Sequence, residues 1–181
     1  MITIDPPQAA GLAPLSNSGL SRFLNSARAA VGVEGEVEVL LSDDLTLRRL
    51  NKSFRGKNKA TDVLSFPSTK EIAPMHAGDL AISLETANRQ AAAYGHTLRD
   101  EVRILLLHGL LHLAGEDHET DNGQMASREA DLRRRLRLPT TLIERVEKSV
   151  RKSIKPAQPK DRAPIVSLKR KPRKPARRQS V

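Results

Sequence analysis

The chain has 181 residues, 38% of them apolar, which suits one domain with a real core and leaves too little for two. It contains no cysteine, so disulfide frameworks and thiolate metal sites are excluded, and a transition metal would have to be held by histidine and carboxylate. The formal charge of +10 is unevenly placed: residues 151–181 carry 12 Lys+Arg and one Asp, net +11, leaving 19 against 20, net −1, for residues 1–150.

Leu20 to Val31 shows helical spacing of apolar residues, and Glu36 to Leu41 alternates as a strand does. Asp43 to Asn51 opens on an N-cap candidate and returns to helical spacing. Thr61 to Phe66, ended by Pro67, and Gly78 to Ser83 read as short strands joined by an irregular connection. Leu84 to Tyr94 is an alanine-rich helix stopped by Gly95. Leu98 to Ala114 is apolar on most sides, as a helix buried among other elements is. Gly115 can end that helix by turning left-handed, and Asp121 can cap another running to about Leu136.

Leu142, Ile143, Val146, Val150 and Ile154 then predict a last amphipathic helix over residues 140–154. From Lys155 onward lie five of the 11 prolines, repeated cations and few apolar residues, a composition that cannot offset the entropy of ordering. The expected organisation is a domain over residues 1–154 and a basic disordered tail over 155–181. The fold class is α+β, a single domain with a small mixed sheet surrounded by helices and a central buried helix that carries a metal motif. The longest apolar run, Ile104 to Leu113, is ten residues interrupted by His108 and Gly109, so no membrane span is expected and the protein reads as cytoplasmic.

The motif is His108-Gly-Leu-Leu-His112-Leu-Ala-Gly115-Glu-Asp-His118. Residues four apart share a helix face, so His108 and His112 can offer ring nitrogens to one point. Catalytic zinc commonly takes three protein ligands and keeps a position for water or substrate, and Gly115 lets the chain reverse so that His118 supplies the third. A lone histidine on an apolar helix is more often a hydrogen-bonded core residue, the reading given to His76 and His96 with a surface role as its alternative. Two imidazoles buried on a leucine-rich helix need partners, and one shared metal satisfies both. Asp117, Asp62 and Asp79 could each hold the far nitrogen of a ligand histidine or be ordinary turn and strand-end carboxylates.

The spacing also matches the metzincin peptidase pattern, except that Gly109 stands where those enzymes carry the glutamate that activates the zinc water. Glu116 lies past the turn and cannot simply replace it. Upstream, Arg48, Arg49, Lys52, Arg55, Lys57 and Lys59 place six cations in twelve residues with no acid among them. A charge run is usually a solvated face, but Ser53 to Lys59 contains Gly56 and Asn58 and reads as a loop able to hold Arg55 over a site. There Arg55 could grip a phosphate through two parallel hydrogen bonds. The aromatics, Phe23, Phe54, Phe66 and Tyr94, look too scattered for a stacking platform, so contact with nucleic acid is expected mainly through phosphates.

The triple-histidine string, Asn51-Lys-Ser-Phe-Arg55-Gly-Lys-Asn-Lys-Ala-Thr-Asp-Val-Leu-Ser-Phe-Pro67 and Gly78-Asp-Leu-Ala-Ile82, in this order and separation, closely resemble the bacterial YbeY family over about residues 36–136. These are endoribonucleases implicated in rRNA maturation. The resemblance implies one zinc ion per chain on His108, His112 and His118, with Arg55 assisting RNA cleavage. It implies 16S rRNA 3′-end processing and ribosome quality control, with rRNA and ribosomal particles as partners. Arg55 and His108 are then the catalytic candidates, and Arg55, Lys57 and Lys59 the RNA-binding ones. Glu116 departs from the aromatic residue that many members have there, and the basic tail lies outside the usual family domain. The attacking oxygen stays open, as do two rival readings, a non-catalytic zinc-containing ribosome assembly factor and, last, a zinc peptidase.

Overall fold

The computed structural model describes residues 1–5, 15–118 and 121–139. In chain order the elements are β1 (Ile2–Ile4), α1 (Asn17–Val31), β2 (Glu36–Ser42), α2 (Asp44–Arg55), β3 (Val63–Pro67), β4 (His76–Ser83), α3 (Leu84–Tyr94), α4 (Leu98–Leu113) and α5 (Gln124–Arg135). The expected helix over residues 140–154 and the tail over 155–181 lie outside the described residues.

The sheet order is β1-β2-β4-β3, with β1 and β4 parallel to β2 and β3 antiparallel to β4, so the expected small mixed sheet is observed. Strand alternation sorts side chains to two faces. Val37, Val39 and Leu41 of β2 join Leu80 and Ile82 of β4 in the main core, which α1, α3, α4 and α5 complete. On the other face Ala81 and Leu64 meet Leu47 of α2 in a smaller cluster, with Leu40, Leu50 and Phe66 packed on it. Strand β3 ends the sheet order, so one of its edges is unpaired among the described residues.

Helix α4 runs through the main core: Val102, Ile104, Leu105, Leu106, Leu107, Leu110 and Leu111 are fully buried. Each such leucine or isoleucine removed from water contributes roughly 1.5–3 kcal/mol. That packing fixes the helix rigidly enough to present His108 and His112 at a constant spacing. Thr97 caps its N-terminus by accepting from the Asp100 N–H at 3.1 Å.

Two elements differ from expectation. Helix α2 runs to Arg55, so Ser53, Phe54 and Arg55 form its last turn and are not loop. The residues after Asn51 carry too few apolar side chains to show a helical period, and only Gly56 marks the stop, in the left-handed region at φ 68°. Strand β1 was not read from the sequence. Its three residues have no period of their own and become a strand through pairing of Ile2 with Val39 and Ile4 with Leu41.

Candidate functional site

His108 and His112 lie on one face at the end of α4, with ring centroids 4.8 Å apart and Nε2 atoms 3.2 Å apart. The chain then reverses at Gly115, whose φ is 87°. The Gly115 N–H donates to the His112 carbonyl and the Glu116 N–H to the Leu111 carbonyl, both at 3.0 Å, a pairing that satisfies the last carbonyls of the helix. His118 is thereby brought back, its ring 5.2 Å from that of His108 and 5.3 Å from that of His112. Arg128 braces the turn by pairing with the Glu116 carboxylate and donating to the Val31 carbonyl at 2.6 Å. Glu116 is therefore committed to an ion pair and does not take the place of a peptidase base.

One ligand atom from each of the three histidines lies within 4.8 Å of the other two. Tetrahedral zinc with bonds near 2.05 Å separates its nitrogen ligands by about 3.3 Å. The His108–His112 distance of 3.2 Å is already close to that value, and the His118 ligand atom lies within 4.8 Å of both. The Nδ1 atom of His118 is buried and has no hydrogen-bond partner among the described residues. A desolvated ring nitrogen left so is costly, and coordination would remove the cost. Burial first, then the neighbouring imidazoles of His108 and His118, push the His112 pKa down to about 4, which keeps its ring neutral, the form that binds metal. The donor set therefore fits a divalent metal with an open coordination position.

Behind the cluster, Nδ1 of His108 faces Glu129 Oε2 at 3.0 Å, and Oε1 of the same carboxylate accepts from Arg133 Nη1 at 3.2 Å. Glu129 and Arg133 are almost wholly withdrawn from water. A carboxylate accepts, so the His108 hydrogen sits on Nδ1 and the Nε2 lone pair points at the cluster. None of the three aspartates considered from the sequence fills this role for His108. Asp79 pairs with His76 at 3.0 Å, and Asp62 accepts from the Val63 N–H and the Gln90 side chain, both at 2.9 Å. Asp117 lines the cleft and favours the charged form of His112. His96 is a half-buried residue paired with the fully buried Glu101, away from the cluster.

Glu129 went unread although a signal existed. It falls on the buried stripe of α5 with Met125 and Leu132, where a carboxylate needs a reason to be. Asp121 does serve α5, but from two residues before the formal cap, accepting from the N–H groups of Gly123 at 2.8 Å and Met125 at 2.6 Å.

Gly109 is a packing requirement. A Cβ there would come within 2.7 Å of Leu80 Cδ2 and 3.3 Å of Ser65 Oγ. Helix α4 thus rides directly on β3 and β4, and a side chain at the position that carries glutamate in metzincins would have to displace the buried Leu80.

The three histidines open into a cleft of about 810 Å³ that takes in every residue of β3 together with Phe54, Arg55, Thr61, Asp62 and the Gly115–His118 turn. Arg55 is exposed at the end of α2 and lines this cleft, whereas Lys57 and Lys59 are exposed but are not among its lining residues. The loop that carries them is tied back: Asn51 Nδ2 donates to the Lys59 carbonyl at 2.8 Å and Arg48 Nε to Asn58 Oδ1 at 2.9 Å. Of the three RNA-contact candidates, the fold brings only Arg55 to the histidines.

A mixed α+β domain whose buried helix and following turn converge three histidines on an open cleft defines a metal-dependent hydrolase class. Among the described residues no helix is long and apolar enough to cross a membrane. Comparison with known proteins narrows the class. The family model for endoribonuclease YbeY matches residues 12–137, a span that begins earlier than the two long motifs and includes α1. Proteins with that name are 52% identical over 144 residues in Koribacter versatilis, covering 80% of this chain and 93% of the relative. In Solibacter usitatus the identity is 49% over 135 residues, covering 75% and 89%. A solution structure from Thermotoga maritima aligns with a TM-score of 0.49 at 24% identity, covering 90% of this chain and 100% of that one. The chain belongs to the YbeY endoribonuclease family.

Proposed function

We propose that this protein is a zinc-dependent endoribonuclease that prefers single-stranded RNA and acts on rRNA, in maturation of the 16S 3′ end and in ribosome quality control. The observation that carries the reading is that three histidine nitrogens within 4.8 Å of one another open on the same cleft as Arg55. Membership of a family named for endoribonuclease activity supports the reaction class. Work on rRNA and ribosomal particles would place the protein in the cytoplasm.

His108, His112 and His118 hold one zinc ion per chain, with Glu129 fixing the tautomer of His108. When bound, the ion supplies Lewis acidity toward a phosphoryl oxygen and lowers the pKa of water. Arg55 aligns the scissile phosphate through two parallel hydrogen bonds and offsets charge that builds on its oxygens. Lys57 and Lys59, outside the cleft wall, attract the flanking backbone without reading its sequence. The body of the chain is close to neutral, so these local cations and the basic segment after Ile154 supply the attraction for RNA. We assign residues 1–154 to the catalytic domain and 155–181 to RNA attachment.

Peptide hydrolysis is disfavoured because Gly109, packed against Leu80, supplies no carboxylate where such chemistry has its base. The test is cleavage of a structured rRNA fragment by the wild type, His112→Ala and Arg55→Ala, each with and without chelator. Activity confined to the metal-loaded wild type supports the proposal. Equal cleavage by all three proteins, or no cleavage by any, sinks it.

A further inference from the structure

Phe54 and Phe66 are twelve residues apart in sequence and belong to different elements, yet their rings meet edge-to-face with centroids 4.9 Å apart. Phe66 is half-buried against the cluster beneath α2, while Phe54 is 67% exposed. The other large exposed hydrophobics of the described chain are Met1, Leu45, Ile72, Met75 and Tyr94, and none of these lines the cleft. Phe54 does, immediately before Arg55.

The cleft straddles the unpaired edge of β3. On one side stand the histidines of α4 and the turn after it; on the other stand Phe54 and Arg55 at the end of α2. A nucleotide has the same two-sided character, a charged phosphate and an apolar base face. The volume of about 810 Å³ lies in the upper part of the roughly 300–1,000 Å³ range of ligand clefts, ample for such a unit. Contact with Phe66 restrains the Phe54 ring on one side while most of it stays open to solvent, which lowers the cost of ordering it against a base.

We propose that Phe54, braced by Phe66, is a stacking platform for an unpaired nucleobase of the RNA adjoining the phosphate held by Arg55. The inference rests on the RNA-cleaving reading and adds to it a reason for preferring single strands. A paired base has both faces covered by its neighbours, and only an unpaired one can be turned onto the ring. Stacking on phenylalanine needs no particular hydrogen-bond pattern, so the platform tolerates any base. It also adds a base contact to the expectation from sequence that RNA is held mainly through phosphates.

The experiment uses the full-length, metal-loaded protein and a short single-stranded RNA containing one 2-aminopurine, whose fluorescence falls when it stacks on an aromatic ring. The proteins are wild type, Phe54→Ala and Phe54→Trp. Phe54→Ala is expected to bind roughly 5- to 150-fold more weakly, the loss of one base–aromatic contact. It should also lose the quench and most of the preference over duplex RNA, with an unchanged melting temperature and zinc affinity. Phe54→Trp should retain affinity and quench. Equal affinity and equal quench in wild type and Phe54→Ala would overturn the platform, as would a wild type that never quenches the probe. Quenching by a wild type that cuts no RNA would instead overturn the nuclease reading and leave the platform standing.

Discussion

Nδ1 of His108 lies 3.0 Å from Oε2 of Glu129, in a pocket where the carboxylate is fully buried. The contact joins the C-terminal end of α4 to α5 and fixes which nitrogen of His108 faces the other two histidines. Arg133, four residues on, holds the opposite oxygen of the same carboxylate at 3.2 Å, so the glutamate cannot swing toward the cluster.

On the proposed metal site, Glu129→Gln should weaken zinc binding by about 10- to 100-fold, the usual loss when a ligand histidine is deprived of its carboxylate. A side-chain amide can still accept from Nδ1, but it no longer raises the basicity of the ring. Competition with a fluorescent chelator measures the affinity, and the melting temperature of the zinc-free protein reports folding separately. Unchanged affinity in a folded variant would remove Glu129 from the site.

Gly109 gives a prediction of opposite kind. Gly109→Glu should destabilise the domain by several kcal/mol, because the new side chain meets Leu80 in a core that is already full and brings an unpaired charge with it. Gly109→Ala meets the same wall with one methyl, and overpacking of about 1–3 kcal/mol exceeds the roughly 1 kcal/mol that alanine gains in helix propensity. Urea unfolding of both variants checks the order. A Gly109→Glu protein of wild-type stability, or one with peptidase activity, would contradict the packing argument.

Local patterns were legible where they were also decisive. Helix α3 has the bounds read from its alanine-rich period and Gly95, and the turn at Gly115 has the left-handed conformation that its role required. The convergence of three histidines followed from helix spacing plus that turn. What could not be read depends on distant pairing. Strand β1 exists through its partner β2, Phe54 meets Phe66 only because α2 covers the sheet beside β3, and Glu129 reaches His108 across two helices. Arg55 reaches the cleft from a helix terminus, where the sequence pattern suggests a loop.

The depressed pKa of His112 makes a pH prediction with a definite sign. Its ordinary value of 6.5 is that of the unfolded chain, while burial and the imidazoles of His108 and His118 lower it to about 4 in the folded protein. Between those values the unfolded chain binds more protons, so stability is full above pH 6.5 and is lost as the pH falls toward 4. The zinc-free protein should therefore melt at progressively lower temperature across this window. His112→Gln, which has no titrating ring, should show a shallower decline. Parallel pH profiles for the two proteins would contradict the assignment.

The segment from residue 155 onward is proposed to attach the enzyme to RNA, and its net charge makes that measurable. Residues 155–181 hold ten of the chain's 31 Lys+Arg. Each cation that neutralises a phosphate of single-stranded RNA adds about −0.7 to the slope of log affinity against log salt. If four of the ten engage, a chain ending at Ile154 should bind with a slope shallower by about 3. The loss should be largest at low salt, where counterion release contributes most, and should fall equally on unrelated sequences, because phosphates carry no base identity. Turnover of a short oligonucleotide at saturation should be retained, since the histidines and Arg55 are untouched. An unchanged slope and affinity in the shortened chain would show that the basic segment does not touch RNA and would leave the cations around the cleft as its electrostatic footing.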